Sequence, residues 1–174
     1  MGKRSEETQQ RHDRAVALIA RQRFDSVGWR THVNPGDARR FGVPVDPAAR
    51  GRTRTLMVLD PREAEPQVEL VYPDIVCENV LTFRPTAIGE VETEETVTEE
   101  ELAQWRAFAE LGPTVHLYVP ADAADRALAL LAGAGRILVR AYRLTDGGID
   151  IEPRQETSRG AQRASQRQRV IPGS

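Results

Sequence analysis

Three carboxylates stand out as residues able to do chemistry together: Asp74 in Tyr72-Pro73-Asp74-Ile75-Val76, and Glu90 and Glu92 in Gly89-Glu90-Val91-Glu92-Thr93. Oxygen ligands of this kind suit a hard divalent cation, Mg2+ or Mn2+, with waters completing an octahedron, and a cation so held can assist phosphodiester hydrolysis. Side chains two apart on a strand share a face, so Glu90 and Glu92 are held close together, at a cost unless a cation, a proton or an arginine compensates. The bland alternatives stay open at this point. Two glutamates on an exposed edge strand are simply solvated, and an aspartate beside a buried strand is often a turn or cap.

The surrounding acidic run dilutes the signal, because seven glutamates fall between Glu90 and Glu101. Thr98-Glu99-Glu100-Glu101 has the form of a capping box, which would account for Glu99, Glu100 and Glu101 as the start of a helix. Glu94 and Glu95 sit in the linker before it. Asp74, Glu90 and Glu92 are what remains.

The elements that must position them follow from periodicity and turn signals. Ala15, Val16, Ile19, Ala20 and Phe24 mark an amphipathic helix over Ser5 to Phe24, capped by Ser5, with an Arg-rich outer face and His12 on its polar side. Val27 to Val33 reads as a strand stopped by Asn34-Pro35-Gly36, followed by a long loop over 36–54. Thr55 to Leu59 and Val68 to Val80 read as strands separated by Asp60-Pro61-Arg62, the second interrupted at Pro73. The short connection Asn79 to Pro85 pairs this strand with Ala87 to Thr93 and can bring Asp74 beside Glu90. A helix from Glu99 to Leu111, a strand Val115 to Val119, a helix Ala123 to Ala132 closed by Gly133 and Gly135, and a hairpin of Ile137 to Leu144 with Ile149 to Ile151 complete the order. Residues 5–154 form a single α/β domain, and 155–174 read as a disordered basic tail.

Composition sets outer bounds. The 174-residue chain, 40% hydrophobic and 29% charged, holds one core of ordinary size. No apolar run approaches the roughly 18 residues of a membrane span and the N-terminus is polar, so a cytoplasmic location without membrane contact is expected. Cys77, the lone cysteine, reads as a small core residue. Lys3 is the single lysine among 24 basic residues, and net charge is only -2, which does not mark a strongly basic nucleic-acid surface. No glycine-rich phosphate loop, zinc spacing or serine-hydrolase elbow occurs. Trp29, Trp105, Phe108 and Tyr118 are expected in the core, and His32 and His116 are expected as packed or surface residues without partners at ligand spacing.

Pro73-Asp74 followed by Glu90-Val91-Glu92 resembles the PD-(D/E)xK nuclease superfamily, with Glu92 where most members carry lysine, as some restriction enzymes of the superfamily do. The resemblance extends over about Glu6 to Gly133. It implies a restriction-endonuclease-like αβββαβ core with a mixed central β-sheet flanked by helices. It further implies Asp74 and Glu90 as metal ligands, the carbonyl of Val91 as a further ligand, Glu92 as the group that orients or activates water, and Gln104 on the following helix as part of the site. A glutamate of the first helix, Glu6 or Glu7, approaches the metal in some relatives. The cofactor implied is Mg2+ or Mn2+, and the partner is nucleic acid, DNA ahead of RNA, with a homodimer as the form in which one-site nucleases cut duplexes.

Loss of the motif lysine motivates a rival: a catalytically inactive nuclease-fold module that binds nucleic acid or a protein partner. A two-carboxylate glycosidase is a third reading, weakened by the lack of an evident aromatic sugar platform. Arg30, Arg52 and Arg54 could meet backbone phosphates, with nothing to select among them.

Overall fold

The computed structural model describes residues 5–33, 41–44, 57–58, 70–132 and 137–153. The loop over 45–54, the Asp60-Pro61-Arg62 turn, Arg52, Arg54, the glycines at 133 and 135 and the tail over 155–174 lie outside them.

Helix α1 spans Glu6–Ile19 and begins as expected, with the Ser5 hydroxyl accepting from the Thr8 N–H at 3.2 Å and two acidic residues in its first turn. Its last segment, Ala20–Phe24, widens into a π-helical turn. The wider turn directs Phe24 inward, edge-on to the His116 ring at 5.7 Å. Strand β1 (Trp29–Val33) follows.

The expected strand Val68 to Val80 is two strands, β4 (Leu70–Val71) and β5 (Ile75–Asn79), and they belong to different sheets. Pro73 is the physical break, since it offers no N–H to a ladder and the chain bends at Asp74. Within the expected loop, Phe41–Pro44 forms β2, which pairs with β3 (Met57–Val58) and β4 in a small three-stranded sheet. Phe41 and Val43 are buried, so this segment is anchored by its apolar residues.

The main sheet has the order β1-β5-β6-β7-β8-β9, with β6 at Pro85–Val91, β7 at Thr114–Pro120, β8 at Ile137–Thr145 and β9 at Gly148–Ile151. Strands β1, β5 and β6 form an antiparallel meander, β6, β7 and β8 run parallel, and β8–β9 is the expected hairpin. Helix α2 (Leu102–Ala109) links β6 to β7, and α3 (Ala124–Leu130), entered through a 3-10 turn at Ala121–Ala123, links β7 to β8. The molecule is thus mixed α/β, with a mixed central sheet and helices on both faces.

Alternation along β6 separates two cores. Ala87 and Val91 face α1 and pack with Ala15, Val16, Ile19 and Tyr118, while Ile88 joins Trp105, Phe108, Leu117 and Leu131 beneath α2 and α3. Gly89 lies where a Cβ would come within 3.0 Å of the Ile75 Cβ, so the meander closes tightly there. Cys77 is buried and its thiol is pushed up by that burial, as suits a core residue.

Two expectations of packing fail. Trp29 is 42% exposed, because it starts an edge strand. The capping box is absent: Glu101 is itself the N-cap, in helical conformation and without a side-chain cap bond, while Thr96 closes a turn onto Thr93 and Val97 is buried. Drawing Val97 into the core delays the helix, and the first α-type bond runs from Trp105 N–H to Glu101. No helix among the described residues is long and apolar enough to cross a membrane.

Candidate functional site

The β5–β6 register sets Ile75 opposite Gly89, which places Asp74 and Glu90 side by side at one end of the sheet. The Asp74 N–H donates to Glu90 Oε2 at 3.3 Å, and Asp74 Oδ2 accepts from the Val91 N–H at 2.8 Å. Asp74 therefore serves where it would otherwise extend the ladder, its carboxylate replacing a strand carbonyl. This end is also the carboxyl end of the parallel strands β6, β7 and β8, where α/β sheets hold their ligands.

Helix α2 clamps both glutamates by adjacent residues. Gln104 Nε2 donates to Glu90 Oε1 at 2.5 Å, and Trp105 Nε1 donates to Glu92 Oε1 at 2.7 Å. Neither glutamate is a solvated edge residue: Glu90 is 4% exposed and Glu92 is 1% exposed. The backbone of Glu92 is held as well, its N–H by the Tyr118 carbonyl and its carbonyl by the Tyr142 hydroxyl, both at 2.8 Å. Glu92 is consequently a fixed group anchored between the sheet and α2.

Burial and crowding change the chemistry of these carboxylates. Glu90 is pushed well above the usual carboxylate range by burial, then by the neighbouring charges of Asp74 and Glu92, against which the Asp74 N–H and Gln104 act. Glu92 is pushed up to about 7, by burial first, with hydrogen bonds from Thr96 and Trp105 opposing and Asp74 and Glu101 adding repulsion. Carboxyls pushed upward by burial and mutual repulsion are groups whose charged forms a bound cation would stabilise.

His12 belongs to the site and was expected elsewhere. It is 2% exposed on the inner side of α1, not on its polar face. Its Nε2 lies 3.0 Å from the Val91 carbonyl and 3.3 Å from Asp74 Oδ2, and its Nδ1 lies 3.1 Å from Asp13 Oδ1. A carbonyl can only accept, so Nε2 carries a proton in this arrangement. The signal was present in the sequence: positions 12, 15, 16 and 19 fall on one helical face, and His12 extends the apolar stripe by one turn. Glu6 and Glu7 are exposed, so His12, not a glutamate, is the α1 residue that reaches Asp74.

His32, expected without a partner, pairs with Glu78 at 3.1 Å and packs against Phe41 at the far end of β5. His116 lies among Phe24 and Tyr118 in the α1-side core.

Among the described residues, no group of three or more His, Cys, Asp or Glu side chains is arranged as a metal cage. That holds for Asp74, Glu90 and Glu92 as well; the Val91 carbonyl, implied as a further ligand, and Asp74 Oδ2 both lie within hydrogen-bond reach of His12 Nε2. Comparison with family models, curated proteins and solved structures finds no match.

Proposed function

We propose that this chain is a divalent-cation-dependent phosphodiesterase acting on nucleic acid, DNA ahead of RNA, built on a restriction-endonuclease-like core. The observation that carries the reading is the pairing of Asp74 with Glu90 at the carboxyl end of β6, where the Asp74 N–H donates to Glu90 Oε2, Asp74 Oδ2 accepts from the Val91 N–H and Gln104 bonds to Glu90. The run α1, β1, β5, β6, α2, β7, with an antiparallel meander and then a parallel strand, supports the αβββαβ order.

The donor chemistry fits Mg2+ or Mn2+, which take oxygen ligands and retain several waters. Asp74, Glu90 and the Val91 carbonyl would hold the ion, which would supply Lewis-acid polarisation of the phosphoryl oxygen and lower the pKa of water. Gln104 keeps the Glu90 carboxylate turned toward Asp74. Glu92 stands where the family lysine would be, and a carboxyl raised to about 7 is matched to proton transfer near neutrality, so it serves to orient the attacking water or accept its proton. His12 orients Asp74 and offers a proton donor beside the developing charge.

Incubation with plasmid, linear and branched DNA and with RNA in Mg2+ or Mn2+ tests the reading. Metal-dependent cleavage that is lost in Asp74→Ala and Glu90→Ala is the expected result. Cleavage that persists in both variants sinks this site.

A second reading has its own support. Both ends of the Glu92 side chain's freedom are restricted by Trp105 and Thr96, and His12 sits on the oxygens a metal would use. Those contacts favour a catalytically inactive module of the same fold that binds nucleic acid or a protein partner. Absence of cleavage together with absence of Mn2+ binding would establish it over the first.

A further inference from the structure

The four large hydrophobic side chains exposed among the described residues, Val27, Trp29, Leu81 and Phe83, all lie at one end of the molecule. They belong to two turns joined through the backbone: the Gly28 carbonyl accepts from the Val80 N–H at 3.0 Å, and Trp29 stands opposite Asn79 in the β1–β5 register. This is the end of the β5–β6 hairpin remote from Asp74. Single exposed apolar residues need no explanation, but four gathered at one tip mark a contact surface.

The hairpin turn is fixed. Asn79 Oδ1 accepts from the N–H groups of Leu81 and Thr82 at 2.9 and 3.0 Å, and the Phe83 N–H donates to the Asn79 carbonyl at 2.8 Å. Phe83 holds a φ of 53°, in the left-handed region that suits glycine or asparagine. Its ring is 65% exposed, so the residue strains the turn and adds little to the core, a combination that accompanies contact residues.

Charge narrows the partner. Residues 21–30 and 78–85 carry Arg21, Arg23, Arg30 and Arg84 against Asp25 and Glu78, in a chain whose net charge is -2. Glu78 is buried and meets His32 at 3.1 Å, so the exposed charge around the aromatic rings is mainly arginine. Trp29 and Arg30 point to opposite faces of β1, which is an outer strand of the main sheet. A single nucleic-acid strand has the same two-sidedness, with bases to stack on an aromatic ring and phosphates to meet an arginine. A second copy of the chain would instead set one excess of arginine against another.

We propose that this tip is an accessory nucleic-acid-binding surface, on which Trp29 and Phe83 stack against unpaired bases while Arg30 and Arg84 meet the backbone phosphates. It rests on the nucleic-acid part of the phosphodiesterase reading and on neither its metal nor its cleavage step.

The test titrates the full chain with a labelled oligodeoxythymidylate in EDTA, followed by anisotropy and by tryptophan emission. Trp105 is fully buried, so quenching by stacked bases reports Trp29. Saturable binding with quenched emission is expected in the wild type. Phe83→Asn suits the left-handed backbone, so it should leave the melting temperature unchanged or higher while weakening binding about tenfold. Trp29→Ala should weaken binding to a similar degree and abolish the quenching, and Arg84→Ala should lower the salt slope by about one. Absence of binding, or binding that Phe83→Asn and Trp29→Ala leave unchanged, overturns the assignment even where Asp74-dependent cleavage is found. Self-association, or capture on phosphatidylserine vesicles, that these variants abolish in a protein binding no oligonucleotide overturns it in favour of a dimer or a lipid contact. Tip-dependent binding in a protein that cleaves nothing upholds the surface and rejects the phosphodiesterase.

Discussion

The two ends of the β5–β6 hairpin carry histidine–carboxylate contacts with opposite charge balance. At the turn end His32 meets Glu78, and Arg30 stands opposite Glu78 in the β1–β5 register, so cationic groups match the one carboxylate there. At the other end His12 faces Asp74 in a cluster that also contains buried Glu90 and Glu92. The first is a balanced structural pair. The second leaves excess negative charge inside the protein, a state that proteins maintain by protonation or by binding a cation. Two histidine–carboxylate contacts, one strand length apart, are thus separated in role by the balance of charges around them.

The largest effect should come from removing a ligand at the unbalanced end. Asp74→Ala or Glu90→Ala should lower cleavage by on the order of a hundred- to a thousandfold, whereas Glu78→Gln at the balanced end should leave it within a few fold; initial rates on a labelled oligonucleotide compare them directly. An equal loss in Glu78→Gln would erase the distinction.

Next comes pH. Glu92 has its folded-state pKa raised from the unfolded value of 4.5 to about 7, and Glu90 shifts in the same direction. A raised carboxyl holds its proton more tightly when folded, so its stabilisation is complete below the unfolded value and is lost as pH rises toward 7. For Glu92 the shift corresponds to roughly 3 kcal/mol. Urea denaturation of the metal-free protein should show stability falling between pH 4.5 and 8, with Mn2+ restoring part of it at pH 8 and Glu92→Gln flattening the profile. A flat wild-type profile contradicts the buried-charge account.

Trp105→Phe keeps an aromatic ring but removes the donor to Glu92 Oε1. Leaving a buried acceptor without its partner should cost roughly 1–3 kcal/mol in the same denaturation assay and displace the pH profile upward. Gln104→Ala should be milder, about 1 kcal/mol in stability, yet should weaken Mn2+ binding by freeing Glu90 to turn away from Asp74. Unchanged metal affinity would mean that Gln104 is only a packing residue.

The pairing of Asp74 with Glu90 was legible because a seven-residue connection between two β-rich runs leaves a hairpin as the simple solution, and Pro73 marked where pairing stops. The glutamates after Glu92 were less so. Thr98 and Glu101 carry the right letters for a capping box, but burial of Val97 outweighs the energy of a cap and shifts the helix start. His12 was misplaced by polarity, although its helical phase matched Ala15, Val16 and Ile19; a buried polar residue is recognisable only when its partners, here Asp74 and the Val91 carbonyl, are brought 62 and 79 residues across the chain. The small sheet of β2, β3 and β4 was hidden for a similar reason, since strands of two to four residues have no period to read.

Mn2+ titration of the metal-free protein at pH 7.5, followed by calorimetry and electron paramagnetic resonance, bears most directly on the unbalanced end. The account predicts saturable Mn2+ binding in the wild type and in Glu78→Gln, abolished in Glu90→Ala with the fold retained. A folded wild-type protein that binds no Mn2+, or binding that survives Glu90→Ala unchanged, would contradict it.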